Sequence, residues 1–186
     1  MGKIGKEEIL MVIYAARHGQ TQWNAENRIC GRTDLPLTQT GMTQAVQLAE
    51  NAVGKGIDLI IASPMLRTRQ TAGVVAEKLG VPVQTDDRLI EQDYGIYEGM
   101  DRKTQAFLDN KRQFATRHPG GESAMQLAYR VYSLLEEVRA KYPDRTVLLV
   151  CHGGIMRVIR TYFEDMTNED YANYSAENAE LARYEF

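Results

Sequence analysis

Three apolar, β-branched runs in this chain end in the same kind of junction, and that repeated arrangement constrains the fold more than any other feature. Residues 9–15 (ILMVIYA) lead into Ala16, Arg17, His18, Gly19, Gln20 and Thr21. Residues 57–62 lead into Ser63 and Pro64, and residues 146–151 lead into His152, Gly153 and Gly154. Runs of this kind, bounded by turn and capping residues, are expected to be buried strands of a parallel sheet. Between them lie stripes of helical period: Ala45, Leu48, Ala49 and Ala52 in one segment, and Leu127, Val131, Leu134, Leu135 and Val138 in another. Strands alternating with helices over short links predict an α/β fold, three layers α/β/α around a mostly parallel central sheet. Right-handed crossovers then bring several carboxyl ends to one edge, where such sheets bind ligands.

Local signals set the expected boundaries. Residues 16–39 read as one long loop, with Thr40 capping the helix that follows. Ser63 and Pro64 read as the N-cap and first position of a helix that runs to Gly80. Residues 81–83 and 89–90 read as short extended pieces, and residues 91–99 as a loop. A polar helix is expected from residue 102 to about 116, a turn at Pro119, and a longer helix from about 122 to 141. The next helix is expected to open at Ile155. Residues 167–186 offer a short helix and an edge strand, with no chemistry assigned to them.

With 186 residues, the chain is expected to form a single domain over 1–186. A net charge of -3 gives no general basic field, so nucleic acid and anionic membranes are not expected partners. No run is long enough to cross a bilayer, and residues 1–8 lack the apolar stretch of a secretory signal, which makes a cytoplasmic location the expectation. Whether the chain acts as a monomer or a homodimer is left open. Cys30 and Cys151 are too few for a disulfide framework or a thiolate metal site and are expected to be free thiols. Glu26 and Asp93 form no ligand cluster with a His, so neither a metal nor a cofactor is expected.

At the first junction, Arg17 offers a charged planar fork for phosphate oxygens, Gly19 permits close backbone approach, and His18 is the candidate nucleophile. Arg67 and Arg69 fall near a helix N-terminus at a second strand end, and His152 stands at a third. These blocks resemble the histidine phosphatase superfamily over nearly the whole chain. Arg17-His18-Gly19-Gln20-Thr21 is similar to its signature, continued by Asn24, Gly31, Asp34, Leu37-Thr38 and Gly41. The run from Ser63 to Ala72 is similar to the second block, Glu91 with Tyr94, Gly95, Glu98 and Gly99 to the third, and His152-Gly153-Gly154 to the last; Cys151 departs from the Ser common before that His.

The resemblance implies that His18 attacks phosphorus and becomes a phosphohistidine, with Glu91 as general acid and then base. Arg17, Arg67 and His152 would hold and stabilise the phosphoryl oxygens. Gly19, Thr21, Asn24, Gly31, Tyr94 and Gly153 are the expected substrate-binding positions. Glu98 is expected to be a structural partner, His118 a solvent-facing turn residue, and Trp23 a packing residue as readily as a stacking one. The segment between Gly99 and Pro119 carries a surplus of three positive charges and should form a lid. Within it Lys111 shares a helical stripe with Phe107 and Phe114 and is expected to snorkel to solvent, the alternative being contact with a second anionic group of the substrate. The expected function is therefore a phosphomonoesterase acting on a small phosphorylated metabolite. The rivals are a cofactor-dependent phosphoglycerate mutase, favoured by Trp23, Asn24, Gly31 and Tyr94, and a non-catalytic phosphate-binding module.

Overall fold

A computed structural model describes residues 11–186, so the expected signal-free start and the first two residues of the 9–15 run lie outside the described residues. The elements are β1 (Val12–Arg17), α1 (Gln22–Ala25), α2 (Gln39–Ala52), β2 (Leu59–Ala62), α3 (Leu66–Leu79), β3 (Val83–Thr85), α4 (Gln105–Lys111), α5 (Ala124–Lys141), β4 (Val147–Cys151), α6 (Gly153–Phe163), α7 (Asn168–Asn173) and β5 (Leu181–Glu185). The sheet order is β3-β2-β4-β1-β5, with every pairing parallel except that of β1 with β5. The fold is α/β, as the three junctions predicted.

Alternation along the strands builds the three layers. Ile13, Ala15, Leu59, Ile61, Val147, Leu149 and Cys151 pack on one face against the stripes of α5 and α6. Tyr14, Ala16, Ile60, Ala62, Leu148 and Val150 pack on the other against α2 and α3. Both faces being covered explains why these strands lack the polar alternation of a half-exposed sheet.

Several boundaries differ from expectation, each for a tertiary reason. Thr38, not Thr40, caps α2, its hydroxyl accepting from the Gly41 N–H at 3.0 Å. The helix expected at Ser63 begins at Leu66, because the Ser63 hydroxyl is engaged by His152 and Asp34 accepts from the Leu66 N–H at 2.7 Å. The long polar helix shrinks to Gln105–Lys111: Gly99 and Arg102 donate backbone N–H bonds to Ile29 and Asn27, and this pairing outweighs local helix preference. The loop 16–39 contains α1, residues 95–97 and 87–89 form 3-10 turns, and α6 opens at Gly153 rather than Ile155. Helix α5 starts behind Ser123, whose capping box with Gln126 sharpens the predicted boundary. Among the described residues, no helix is long and apolar enough to cross a membrane.

Candidate active site

The ladder continues past the strand ends and sets the site. His18 donates its N–H to the Cys151 carbonyl and Ser63 to the Val150 carbonyl, both at 3.0 Å, so the residues that leave β1, β4 and β2 stand side by side. The imidazoles of His18 and His152 meet edge to face with centroids 5.2 Å apart. His18 fronts a small cavity of about 180 Å³, with His152 behind it. Arg17, His18, Asn24, Glu91, Tyr94 and Gly153 all line it, as the sequence led us to expect.

His18 is buried, and its Nδ1 lies 2.6 Å from the Gly19 carbonyl, an acceptor only. Nδ1 therefore carries the proton and Nε2 keeps its lone pair. Burial, then the charges of Arg67 and Arg17, push its pKa well below the usual 6.5, so the ring is neutral at pH 7. Arg17 gives Nη1 to the Ala176 carbonyl at 2.6 Å, while its Nε is buried without a partner. A donor of this kind at a cavity wall can serve an anionic ligand.

Glu91 is 5% exposed and held from both sides: Oε1 accepts from the Gln92 N–H at 2.8 Å and Oε2 from the Gly154 N–H at 3.0 Å. Gly154 was not singled out as a site residue, yet a Cβ there would stand 2.4 Å from Glu91 Oε1. We expect Gly154→Ala to displace the carboxylate and lower kcat by about 10- to 100-fold while leaving the fold intact, as mispositioning by an ångström can do. Steady-state kinetics alongside thermal melting would check this; unchanged kcat would show that Glu91 tolerates the shift.

Two expected anion contacts stand one layer back. Arg67 is fully buried and is committed through Nη2 to the Gly31 carbonyl (2.7 Å), Nη1 to that of Thr33 (2.8 Å) and Nε to His152 Nδ1 (3.1 Å). Since Nδ1 of His152 accepts, Nε2 bears the hydrogen and donates to Ser63 Oγ at 2.9 Å. Burial and the charge of Arg67 keep that ring neutral too. Neither residue lines the cavity.

Three expected substrate-binding positions are architectural instead. Gly19 is bare because α2 crosses it, a Cβ meeting the Gly41 carbonyl at 2.3 Å, and Gly31 supplies a carbonyl to Arg67. Thr21 is fully buried as the cap of α1, exchanging bonds with Asn24. Asn24 Oδ1 accepts from the Thr21 N–H, which leaves its amide hydrogens for a ligand.

Other residues depart from or extend the sequence reading. Glu98 is the structural partner expected, accepting from the Arg32 N–H and the Thr33 hydroxyl. Trp23 packs under the Arg28 guanidinium, 4.5 Å from the ring, and does not line the cavity. Cys30 and Cys151 are free and buried, with burial raising both thiols. Lys111 lines the cavity rather than snorkelling outward, together with Arg102, Arg157 and Ser175. The C-terminal segment, assigned no chemistry, holds the catalytic loop: Asn178 donates to the His18 carbonyl at 2.9 Å, and Ala176 takes Arg17. Only a tertiary contact places those residues, so no local signal reveals them.

His118 is not solvent-facing. It is 3% exposed and stacks on Phe107, with Tyr94 and Tyr97 at its edges. Burial, then the charge of Arg157, lowers its pKa from 6.5 to about 4. Between those values the unfolded chain holds a proton that the folded one lacks, so stability is full above about pH 6.5 and falls as pH drops toward 4. We expect His118→Phe to flatten part of the fall in Tm between pH 6.5 and 4.5. An unaltered slope would mean that His118 is not the group taking up the proton.

A buried neutral imidazole with a free nitrogen, a carboxylate on the same small cavity and guanidinium groups around it are the kinds of group that phosphoryl transfer through a histidine requires. The family model of the histidine phosphatase superfamily (branch 1) matches residues 13–186, and the chain belongs to that superfamily. It is 40% identical over 151 residues to the probable phosphoglycerate mutase GpmB of Salmonella paratyphi B, covering 77% of this chain and 70% of that one. A mycobacterial glucosyl-3-phosphoglycerate phosphatase solved with VO3 superposes with a TM-score of 0.85 at 29% identity, over 93% of this chain and 90% of that one. A putative alpha-ribazole-5'-P phosphatase of Escherichia coli, at 22% identity, shares the fold with a TM-score of 0.81 over 94% and 90% of the two chains.

Proposed function

We propose that this chain is a phosphomonoesterase that hydrolyses a small phosphorylated metabolite through a phosphohistidine on His18. The observation that carries the reading is the tautomer: Nδ1–H is tied to the Gly19 carbonyl, which leaves the Nε2 lone pair for phosphorus beside Glu91. In the first step the Nε2–P bond forms and the ester P–O bond breaks, with the leaving oxygen taking a proton from Glu91. In the second, water attacks phosphorus, the P–N bond breaks and Glu91 recovers the proton. Arg17, with its unpartnered Nε, and the Gly153 N–H at the N-terminus of α6 stabilise the phosphoryl oxygens.

Arg67 and His152 join when the anion arrives. The His152 Nε2–H passes from Ser63 Oγ to a phosphoryl oxygen, and Arg67 still has N–H groups beyond the three engaged. Residues 1–186 act as one catalytic unit in the cytoplasm, with the segment around 100–120 closing the cavity as a lid. The mycobacterial phosphatase supports hydrolysis, and the GpmB similarity supports phosphoryl transfer to a second hydroxyl. A screen of phosphorylated metabolites for phosphate release, run with a 3-phosphoglycerate isomerisation assay with and without 2,3-bisphosphoglycerate, separates them. We expect inorganic phosphate as the main product. Bisphosphate-dependent interconversion with little phosphate released would establish the mutase instead.

A further inference from the structure

The chemistry at phosphorus leaves three cations of the cavity unused. Arg102, Lys111 and Arg157 all line it, and none makes an ion pair among the described residues. Arg157 is 7% exposed; its Nη2 donates to the Tyr174 carbonyl at 3.3 Å, its guanidinium lies over the Tyr171 ring 5.3 Å from the centroid, and its Nε is buried without a partner. Arg102 spends Nε on the Arg28 carbonyl at 3.0 Å. Lys111 makes no side-chain hydrogen bond among the described residues. The one carboxylate on the cavity wall, Glu91, already accepts two N–H bonds.

Helix α4 fixes Lys111 in this position. Phe107, one turn earlier, is sunk into the cluster of Tyr94, Tyr97 and His118, and Phe114, after the helix, packs on Tyr171. These two anchors hold the half-buried Lys111 at the cavity wall. Burying a charge without a counter-charge costs several kcal/mol, and an anion in the cavity would offset that cost for Arg157. The phosphoryl group on His18 is served by Arg17, the Gly153 N–H, Arg67 and His152, so these further cations face the part of the cavity that a second anionic group would fill.

We propose that Lys111 and Arg157 form a second anion site, which selects substrates bearing a carboxylate or a second phosphoryl group a few bonds from the ester phosphate. This rests on the phosphomonoesterase reading above and names its substrate class: small, doubly anionic phosphate esters. Around Lys111 stand Arg112 on its own segment, Arg102 ahead of α4, Arg157 on α6, Ser175 in the C-terminal segment, and His118, Gln92 and Tyr171 around an adjoining smaller cavity. Burial beside Arg157 and Arg102 lowers the ammonium to about 7, so the site weakens as pH rises through neutrality.

The test compares 3-phosphoglycerate and propane-1,3-diol bisphosphate with glycerol 3-phosphate, which lacks the second anion. Wild type should prefer the doubly anionic esters by about 10- to 100-fold in kcat/KM, the value of a charge-assisted contact, and the two probes tell carboxylate from phosphoryl recognition. Lys111→Met should lose most of that ratio. Lys111→Arg should keep it and erase its decline between pH 6 and 8.5. Calorimetric Kd values for the same three ligands separate the two readings. If no ester is hydrolysed yet the doubly anionic ligands bind more tightly and Lys111→Met abolishes the difference, the anion site stands and the phosphatase reading falls. Equal affinity and equal kcat/KM across the three, or equal losses in Lys111→Met, would overturn the second site.

Discussion

Replacing His18 by Ala is expected to lower turnover of every phosphate ester by about 10⁴-fold or more, the scale seen when a covalent nucleophile is removed. No neighbour can take over. The next imidazole, His152, has both ring nitrogens engaged, by Arg67 and Ser63. The two thiols near the site, Cys30 and Cys151, are buried and held protonated by that burial. Because the His18 ring is buried beside the sheet edge while its backbone is held by Cys151 and Asn178, the variant should fold and retain phosphate binding. Turnover of p-nitrophenyl phosphate within tenfold of wild type would assign the attack to some other group.

Glu91→Gln should cost about 10²- to 10⁴-fold on alkyl phosphates, the usual contribution of a positioned proton donor. The geometry adds a second effect. An amide has one oxygen, while two backbone N–H groups aim at the side chain, so its NH2 is forced against either Gln92 or Gly154. The two effects separate by leaving group: lost protonation harms alkyl esters far more than p-nitrophenyl phosphate, whereas displacement harms both alike. A loss several-fold or more smaller on p-nitrophenyl phosphate supports the acid role, and equal losses would remove it.

Much of this architecture was readable in the residues because strand ends and chemistry coincide. The runs before His18, Ser63 and His152 carry the sheet, and the backbone ladder that joins them carries the site, so recognising one located the other. What stayed hidden depends on contacts distant in sequence. Asp34 capping α3 moves that helix's start, pairing of residues 99–102 with 27–29 truncates α4, and Ala176 and Asn178 reach back to the first junction. Glycines illustrate the same limit. Gly19 suggested ligand approach and serves packing against α2, while Gly154, read only as part of a motif, makes room for Glu91. Charged and turn residues usually face water, which points Lys111 and His118 outward; instead His118 is buried against Phe107 of α4, and Lys111, on the same helix, lines the cavity.

Phosphate is expected to pass through His18 to water. Rapid acid-free quenching of the wild type with a substrate labelled in its phosphoryl group, followed by peptide mapping and product analysis, tests it most directly. We expect acid-labile, base-stable label on the peptide containing His18 within the first turnover, then its appearance as inorganic phosphate at the rate of kcat. Label that never enters the protein, or that leaves His18 for a second hydroxyl with little inorganic phosphate formed, would contradict it.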